Sequence, residues 1–227
     1  MTRVIVTDLD GTLTSRDLVL SPKVIEAVRI AKKHGIRIRI ATGNAFPIAT
    51  AVSRYTGMND YVISENGCII GKHGIIRKTF GDPEESRKAF EYARDVLKAK
   101  PKPRNDRRRI DFVFEPSVDP KRLEEELRKA GFRVRVTYSG YAVHVLPEGV
   151  SKGKALRRLL EYKNIPRERV VAIGDGPNDV ELFEVASIKV APEDGHEIAK
   201  NAADRVVSGN GEALYDTVIR LTEGERR

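Results

Sequence analysis

Apolar and polar positions alternate in blocks along this chain. "RVIVT" is a short β-branched run, "SPKVIEAVRIAKKHG" spaces its apolar residues three and four apart, and "IRIRIA" is strand-like again. "AFPIATAVSRYTG" returns to helical spacing before a further strand, "YVIS". Such alternation predicts βαβ units and a parallel sheet. The first helix has legible ends, with Ser21 as N-cap, Pro22 in its first turn and Gly35 as its stop.

After "ENG", read as a turn, comes a hairpin-like piece, "CIIGKHGIIRK", and then the pattern changes. From Gly81 to Gly149 it predicts a helix, a basic proline-containing loop, a strand ("RIDFVFEP"), a second helix and a hairpin, "FRVRVTYSGYAVHVL". Alternation within these strands marks one buried face, as in an antiparallel sheet covered by helices on one side. A two-residue turn at Ser139 and Gly140 would set Val136 opposite Val143 and Arg135 opposite His144, with Arg133, Arg135 and Thr137 sharing the polar side. The βα pattern resumes at Ser151, with strands "RVVAIGD", "IKVAP" and "DRVV" and a last helix, "EALYDTVIRLTEG". The expected architecture is α/β: a doubly wound, Rossmann-like parallel-sheet core (residues 1–80 and 150–227) split by an α+β cap (81–149).

Composition adds a basic balance. Charged residues are 33% of the 227, and the net charge of +8 favours anionic partners: nucleic acid, membrane surfaces or phosphorylated metabolites. The basic residues are scattered among acids, with the densest runs, "KAKPKPR" and "RRR", in one short region, so specific nucleic-acid binding is not expected. The single cysteine, Cys68, cannot form an intrachain disulfide, matches no zinc spacing and reads as a small core residue. No apolar run approaches the roughly 18 residues that span a bilayer, and the expected location is the cytoplasm. The absence of Gln and Trp beside abundant Lys, Arg and Glu leans toward a thermophilic source.

Candidate chemistry lies at the strand ends. Asp8 and Asp10 close the first strand, Thr42 and Gly43 follow "IRIRIA", and Asp175 follows "VVAIG" with Asp179 one helical turn on. One aspartate there is as readily a helix N-cap; four converging on the crevice beyond a parallel sheet point to a site. Crowded carboxylates need a counter-cation, and oxygen ligands without nearby His or Cys favour a hard ion such as Mg2+, which shares its shell with phosphate. The spacing after Asp8 fails an EF-hand loop, "GVSKGKAL" fails a phosphate loop, and "GDGPND" lacks the third glycine of a dinucleotide loop.

"DLDGT" at Asp8–Thr12, "ATG" at Ala41–Gly43, "SKGKAL" with Lys152 and "GDGPND" at Gly174–Asp179 occur in order. With these motifs the chain resembles the haloacid dehalogenase superfamily of aspartate-nucleophile phosphotransferases over nearly its whole length. "LSPKVIEAV", "GIRIRIATG" and "ISENGCII" resemble the Cof-like subgroup, whose C2-type cap is inserted between the second and third motifs.

The resemblance implies that Asp8 attacks phosphorus and that Asp10 protonates the leaving alkoxide and then deprotonates water. It also implies Mg2+ held by Asp8, the backbone carbonyl of Asp10, Asp175 and Asp179, with Thr42, Gly43, Asn44, Lys152 and Asn178 around the phosphoryl group. An acid at Asp10 favours phosphatase or phosphomutase chemistry, with hydrolysis first. Where many members have arginine after "ATG", this chain has Asn44, and "TGN" with a compact cap resembles the archaeal phosphoglycolate phosphatase group. The expected substrate is thus 2-phosphoglycolate, with Arg135 or Arg133 of the cap taking its carboxylate in bidentate fashion. Sugar-phosphate and phosphoserine-type phosphatases, a phosphomutase and a non-enzymatic basic nucleic-acid binder are the alternatives. A monomer or homodimer is expected.

Overall fold

The computed structural model describes residues 3–103 and 105–224, so the end of the "GERR" tail lies outside the described residues. Strands β1 (Val4–Thr7), β2 (Arg37–Ala41) and β3 (Tyr61–Ser64) are parallel neighbours joined by α1 (Pro22–Lys33) and α2 (Phe46–Tyr55). Ser21 caps α1 by accepting from the Lys23 amide, and Pro22 fits the first turn because its missing N–H would have no partner there. β4 (Ile69–Lys72) and β5 (Ile75–Thr79) extend the sheet as an antiparallel hairpin. Its turn residues, His73 and Gly74, have φ of 53° and 78°, the mirror-image turn that suits strand twist.

The insert follows with α3 (Pro83–Asp95), β6 (Phe112–Phe114), α4 (Pro120–Lys129), β7 (Val134–Tyr138) and β8 (Val143–Pro147). Its three strands form an antiparallel sheet in the order β6-β8-β7. Phe112, Phe114, Val134, Val143 and Val145 pack under Ala89, Phe90 and Ala93 of α3 and Leu123 and Leu127 of α4. Helices therefore cover one side of this sheet, and its other side faces the core.

The hairpin register differs from the two-residue turn expected of it. Tyr138 pairs with Val143, Val136 with Val145 and Val134 with Pro147, so the loop is Ser139–Ala142. Ser139 stabilises the longer loop: its hydroxyl accepts from the amides of Tyr141 and Ala142, and its amide donates to the Ala142 carbonyl. The slip is two residues, so every side chain keeps its expected face while changing its partner. Arg135 lies opposite Leu146, and Thr137 opposite His144.

The chain then returns to the large sheet through α5 (Lys152–Tyr162), β9 (Val170–Ile173), α6 (Val180–Phe183), β10 (Ile188–Pro192), α7 (Glu197–Ala202), β11 (Arg205–Val207) and α8 (Ala213–Glu223). The order is β11-β10-β9-β1-β2-β3-β4-β5, parallel from β11 to β3. Ile5, Ile38, Ile40 and Ile173 face α1, α2 and α8, while Val4, Val6 and Ala172 face α5, α6 and α7. The core is thus wound on both faces, as the sequence pattern predicts. Among the described residues no helix is long and apolar enough to cross a membrane.

Candidate active site

The chain leaves β1 for β2 on one side, and β9 lies on the other. This reversal opens a crevice at the carboxyl ends of the three strands. Asp8 follows β1, Thr42 follows β2, and Asp175 lies just beyond β9. The carboxylates of Asp8, Asp175 and Asp179 offer oxygens that all lie within 4.8 Å of one another. Lys152, fully buried in the first turn of α5, donates 2.8 Å hydrogen bonds to Oδ1 of both Asp8 and Asp179. Asp175 accepts from the Thr12 hydroxyl at 3.0 Å, and Asp179 Oδ2 from the Gly176 amide at 3.0 Å. Lys152 reaches this point because Ser151 caps α5 and Gly67 lets the helix start close in. A Cβ on Gly67 would lie 2.2 Å from the Ser151 carbonyl oxygen.

Three buried carboxylates face one ammonium. Burial pushes the Asp8 carboxyl well above its ordinary range against the pull of Lys152, and Asp179 and Asp175 add to the rise. Burial and Asp179 push Asp175 up to about 7. For Lys152, burial works against the charge, but Asp179 and Asp8 outweigh it and hold its pKa above the usual value. Three carboxyl groups share one ammonium and offer only hard oxygen donors, so the cluster fits a small divalent cation.

Asp10 stands apart from the cluster. Its Oδ2 accepts from the Asn44 side-chain amide at 2.8 Å, and burial raises its pKa despite that bond. Asn44 is held in turn by Thr42, whose hydroxyl accepts from the Asn44 amide at 3.0 Å. Asp8, Asp10, Thr42, Gly43, Asn44, Lys152 and Asn178 line a cavity of about 220 Å³, closed on the other side by the insert. Arg135 is not among the lining residues. Its guanidinium pairs with Glu181 on α6, and so ties β7 to the core instead of reaching for substrate.

Several residues at this junction were hidden in the sequence. Glu65 and Asn66, with φ of 49° and 52°, have the backbone of a turn, but their side chains reach into the insert. Buried Glu65 accepts from the amides of Arg109, Ile110 and Asp111 at 3.1, 2.8 and 3.2 Å. The Asn66 side chain donates to Asp111 and lies 2.9 Å from His144 Nδ1, while the Asn178 side chain donates to Asn66 Oδ1 at 3.0 Å. Two left-handed non-glycine residues in succession were the available signal, and φ is invisible in a sequence.

Tyr141, in the hairpin loop, brings a buried hydroxyl into the cavity without a hydrogen-bond partner among the described residues. Its oxygen and Asp175 Oδ2 lie 2.9 and 2.5 Å from the point that a Cβ on Gly11 would occupy. Burial and Asp175 push the phenol up to about 12, so it is a donor at neutral pH. An unpaired buried donor costs about 1–3 kcal/mol. Tyr141→Phe is therefore expected to leave the ligand-free protein as stable as the parent, or up to about 1 kcal/mol more stable. Denaturant unfolding checks this, and a loss above about 1 kcal/mol would show that the hydroxyl has a partner.

The family model of haloacid dehalogenase-like hydrolases matches residues 5–99 and 82–214. The chain belongs to that family of hydrolases, and it is a phosphatase. It is similar to proteins named phosphoglycolate phosphatase from two archaea. With that of Methanothermobacter thermautotrophicus it shares 32% identity over 220 residues, covering 96% of this chain and 98% of the relative. With that of Metallosphaera sedula it shares 34% over 194 residues, covering 84% and 85%. A crystal structure of a Thermoplasma acidophilum protein superposes with a TM-score of 0.86 at 29% identity, covering 98% of this chain and 99% of that one.

Proposed function

We propose that this phosphatase is a Mg2+-dependent phosphomonoester hydrolase working through an aspartyl-phosphate, and that its substrate in the cytoplasm is a small phosphorylated acid, 2-phosphoglycolate. The observation that carries the reaction is one carboxylate, Asp8, held in the cation-demanding cluster while a second, Asp10, is held separately by Asn44 at the same cavity. Similarity to the archaeal relatives and a small cavity with basic walls support the substrate.

In this reading Asp8 attacks phosphorus, forming an acyl phosphate while the ester P–O bond breaks. Asp10, whose raised pKa suits an acid, gives its proton to the departing oxygen. It then takes a proton from the water that attacks the acyl phosphate, releasing inorganic phosphate and restoring Asp8. Lys152 and the Thr42 side of the cavity hold the phosphoryl oxygens as their charge shifts. Asp8, Asp175 and Asp179 would hold Mg2+, with the Asp10 carbonyl as a further ligand, and the ion would supply charge neutralisation at the site.

The test is hydrolysis of 2-phosphoglycolate, sugar phosphates, phosphoserine and an aryl phosphate, with and without chelator. The expected kcat/KM for 2-phosphoglycolate exceeds the others by about tenfold or more, and chelation abolishes turnover until Mg2+ is restored. Mg2+ at about 100 times its Kd should also stabilise the fold by about 2.7 kcal/mol, raising Tm by roughly 5–11 °C. Activity that survives thorough chelation removes the metal, and equal rates across the panel remove the substrate.

A further inference from the structure

The basic stretch "KPKPRNDRRR", which by composition alone resembles a nucleic-acid patch, brings several of its described residues to the mouth of the active-site cavity. Lys102, Arg107 and Arg108 all line it. Arg108 is immobilised, donating through Nη2 to the Gly43 carbonyl at 2.9 Å and through Nη1 to Asp111 Oδ2 at 3.1 Å. Arg107 is exposed at the rim, where it pairs at 3.8 Å with exposed Asp106.

Lys102 differs from both. Its ammonium donates to the Tyr141 carbonyl and makes no ion pair with a carboxylate among the described residues, leaving two N–H donors and a full charge for the cavity. The loop that carries it is fixed before any ligand arrives. The Lys102 amide donates to the Val113 carbonyl, and Asn105 bonds the Lys102 carbonyl and both backbone groups of Val113, at 2.7–3.0 Å. A cation held this way gives up little freedom on binding.

The position of this charge relative to the two reacting carboxyls gives it a direction. Arg108 bonds the carbonyl of Gly43, next to the Asn44 that holds Asp10. Lys152 acts on both carboxyls, and Lys102 and Arg108 act on Asp10 besides it, while Asp8 has Asp179 and Asp175 as its further close influences. Asp10 serves the departing oxygen, so the organic part of the ester lies on its side of the cavity. The phosphoryl end already has Lys152. The cation at the far end is therefore left for a second anionic group on the leaving group.

We propose that Lys102, backed by Arg108 and with Arg107 at the rim, binds a carboxylate on the leaving group and so selects phosphorylated acids over neutral phosphomonoesters. This rests on the phosphatase reading of the site and gives the recognition of the acid a residue other than Arg135. The rival role for Lys102 is a prop for the Ser139–Ala142 loop through Tyr141, which would touch all ligands alike.

The test is calorimetric binding, with Mg2+ present, of two non-hydrolysable phosphonates of equal chain length: 3-phosphonopropionate, which carries the carboxylate, and propylphosphonate, which does not. The protein should bind the first at least about tenfold more tightly, the gain expected of one charged hydrogen bond. Lys102→Met should abolish that ratio by weakening 3-phosphonopropionate far more than propylphosphonate, at a stability loss no larger than its single bond to the Tyr141 carbonyl accounts for, and Lys102→Arg should keep most of the ratio. The proposal is overturned if the parent shows no preference, if Lys102→Met keeps it, or if both ligands weaken equally. A Lys102-dependent preference without hydrolysis of 2-phosphoglycolate would refute the substrate named above and leave the carboxylate site standing. Hydrolysis without Lys102 dependence would do the reverse.

Discussion

Asp8→Asn is expected to lower kcat by at least about a thousandfold on every phosphomonoester, because the amide cannot form the acyl phosphate and only the binding and charge-stabilising parts of the site remain. The same substitution should cost little stability. Asparagine keeps the shape and still accepts from Lys152, while one negative charge leaves a cluster whose burial and mutual repulsion already push Asp8 far from its ordinary pKa. Turnover and Tm measured on one preparation separate the two effects. If the variant retains more than a few per cent of parental kcat, the nucleophile is not Asp8.

Lys152→Met should damage both quantities. The ammonium is the shared partner of Asp8 and Asp179, each at 2.8 Å, and its removal leaves buried carboxylates facing one another. Breaking a buried pair this way costs about 3–5 kcal/mol. In a chain of this size that is roughly 6–20 °C of Tm. The lost charge at the phosphoryl group should lower kcat by about a hundredfold or more. Added Mg2+ is expected to recover part of the Tm, by neutralising the same carboxylates, and none of the lost kcat. An unchanged Tm in metal-free buffer would mean that the cluster does not depend on Lys152.

The fold was legible because its parts are local. Apolar blocks of alternating period fixed the strands and helices of the core, and charge at the end of an apolar strand is rare enough to mark Asp8 and Asp175. What escaped depends on three dimensions. The hairpin loop is four residues long because the Ser139 hydroxyl satisfies its amides, a contact a two-residue turn satisfies without help. Arg135 meets Glu181, 46 positions away, and no pattern within either segment announces the other. The turn at Pro177–Asp179 ahead of α6 is set by a contact of the same kind, since Asp179 folds back onto the Gly176 amide beside Lys152. Lys102 and Arg108 were lost in a basic run whose composition pointed toward nucleic acid, and only the path of the chain over the cavity gives them another use.

Glu65 holds the insert by peptide amides alone, those of Arg109, Ile110 and Asp111. Such a grip is indifferent to which side chains the held segment carries. Of the cavity-wall residues just before it, Arg108 also bonds the core through the Gly43 carbonyl, but Lys102 and Arg107 take no part in the Glu65 grip, so exchanging those two leaves that grip in place. A carboxylate that reads main chain thus leaves positions 102 and 107 free to vary in side chain while the segment behind them keeps its place.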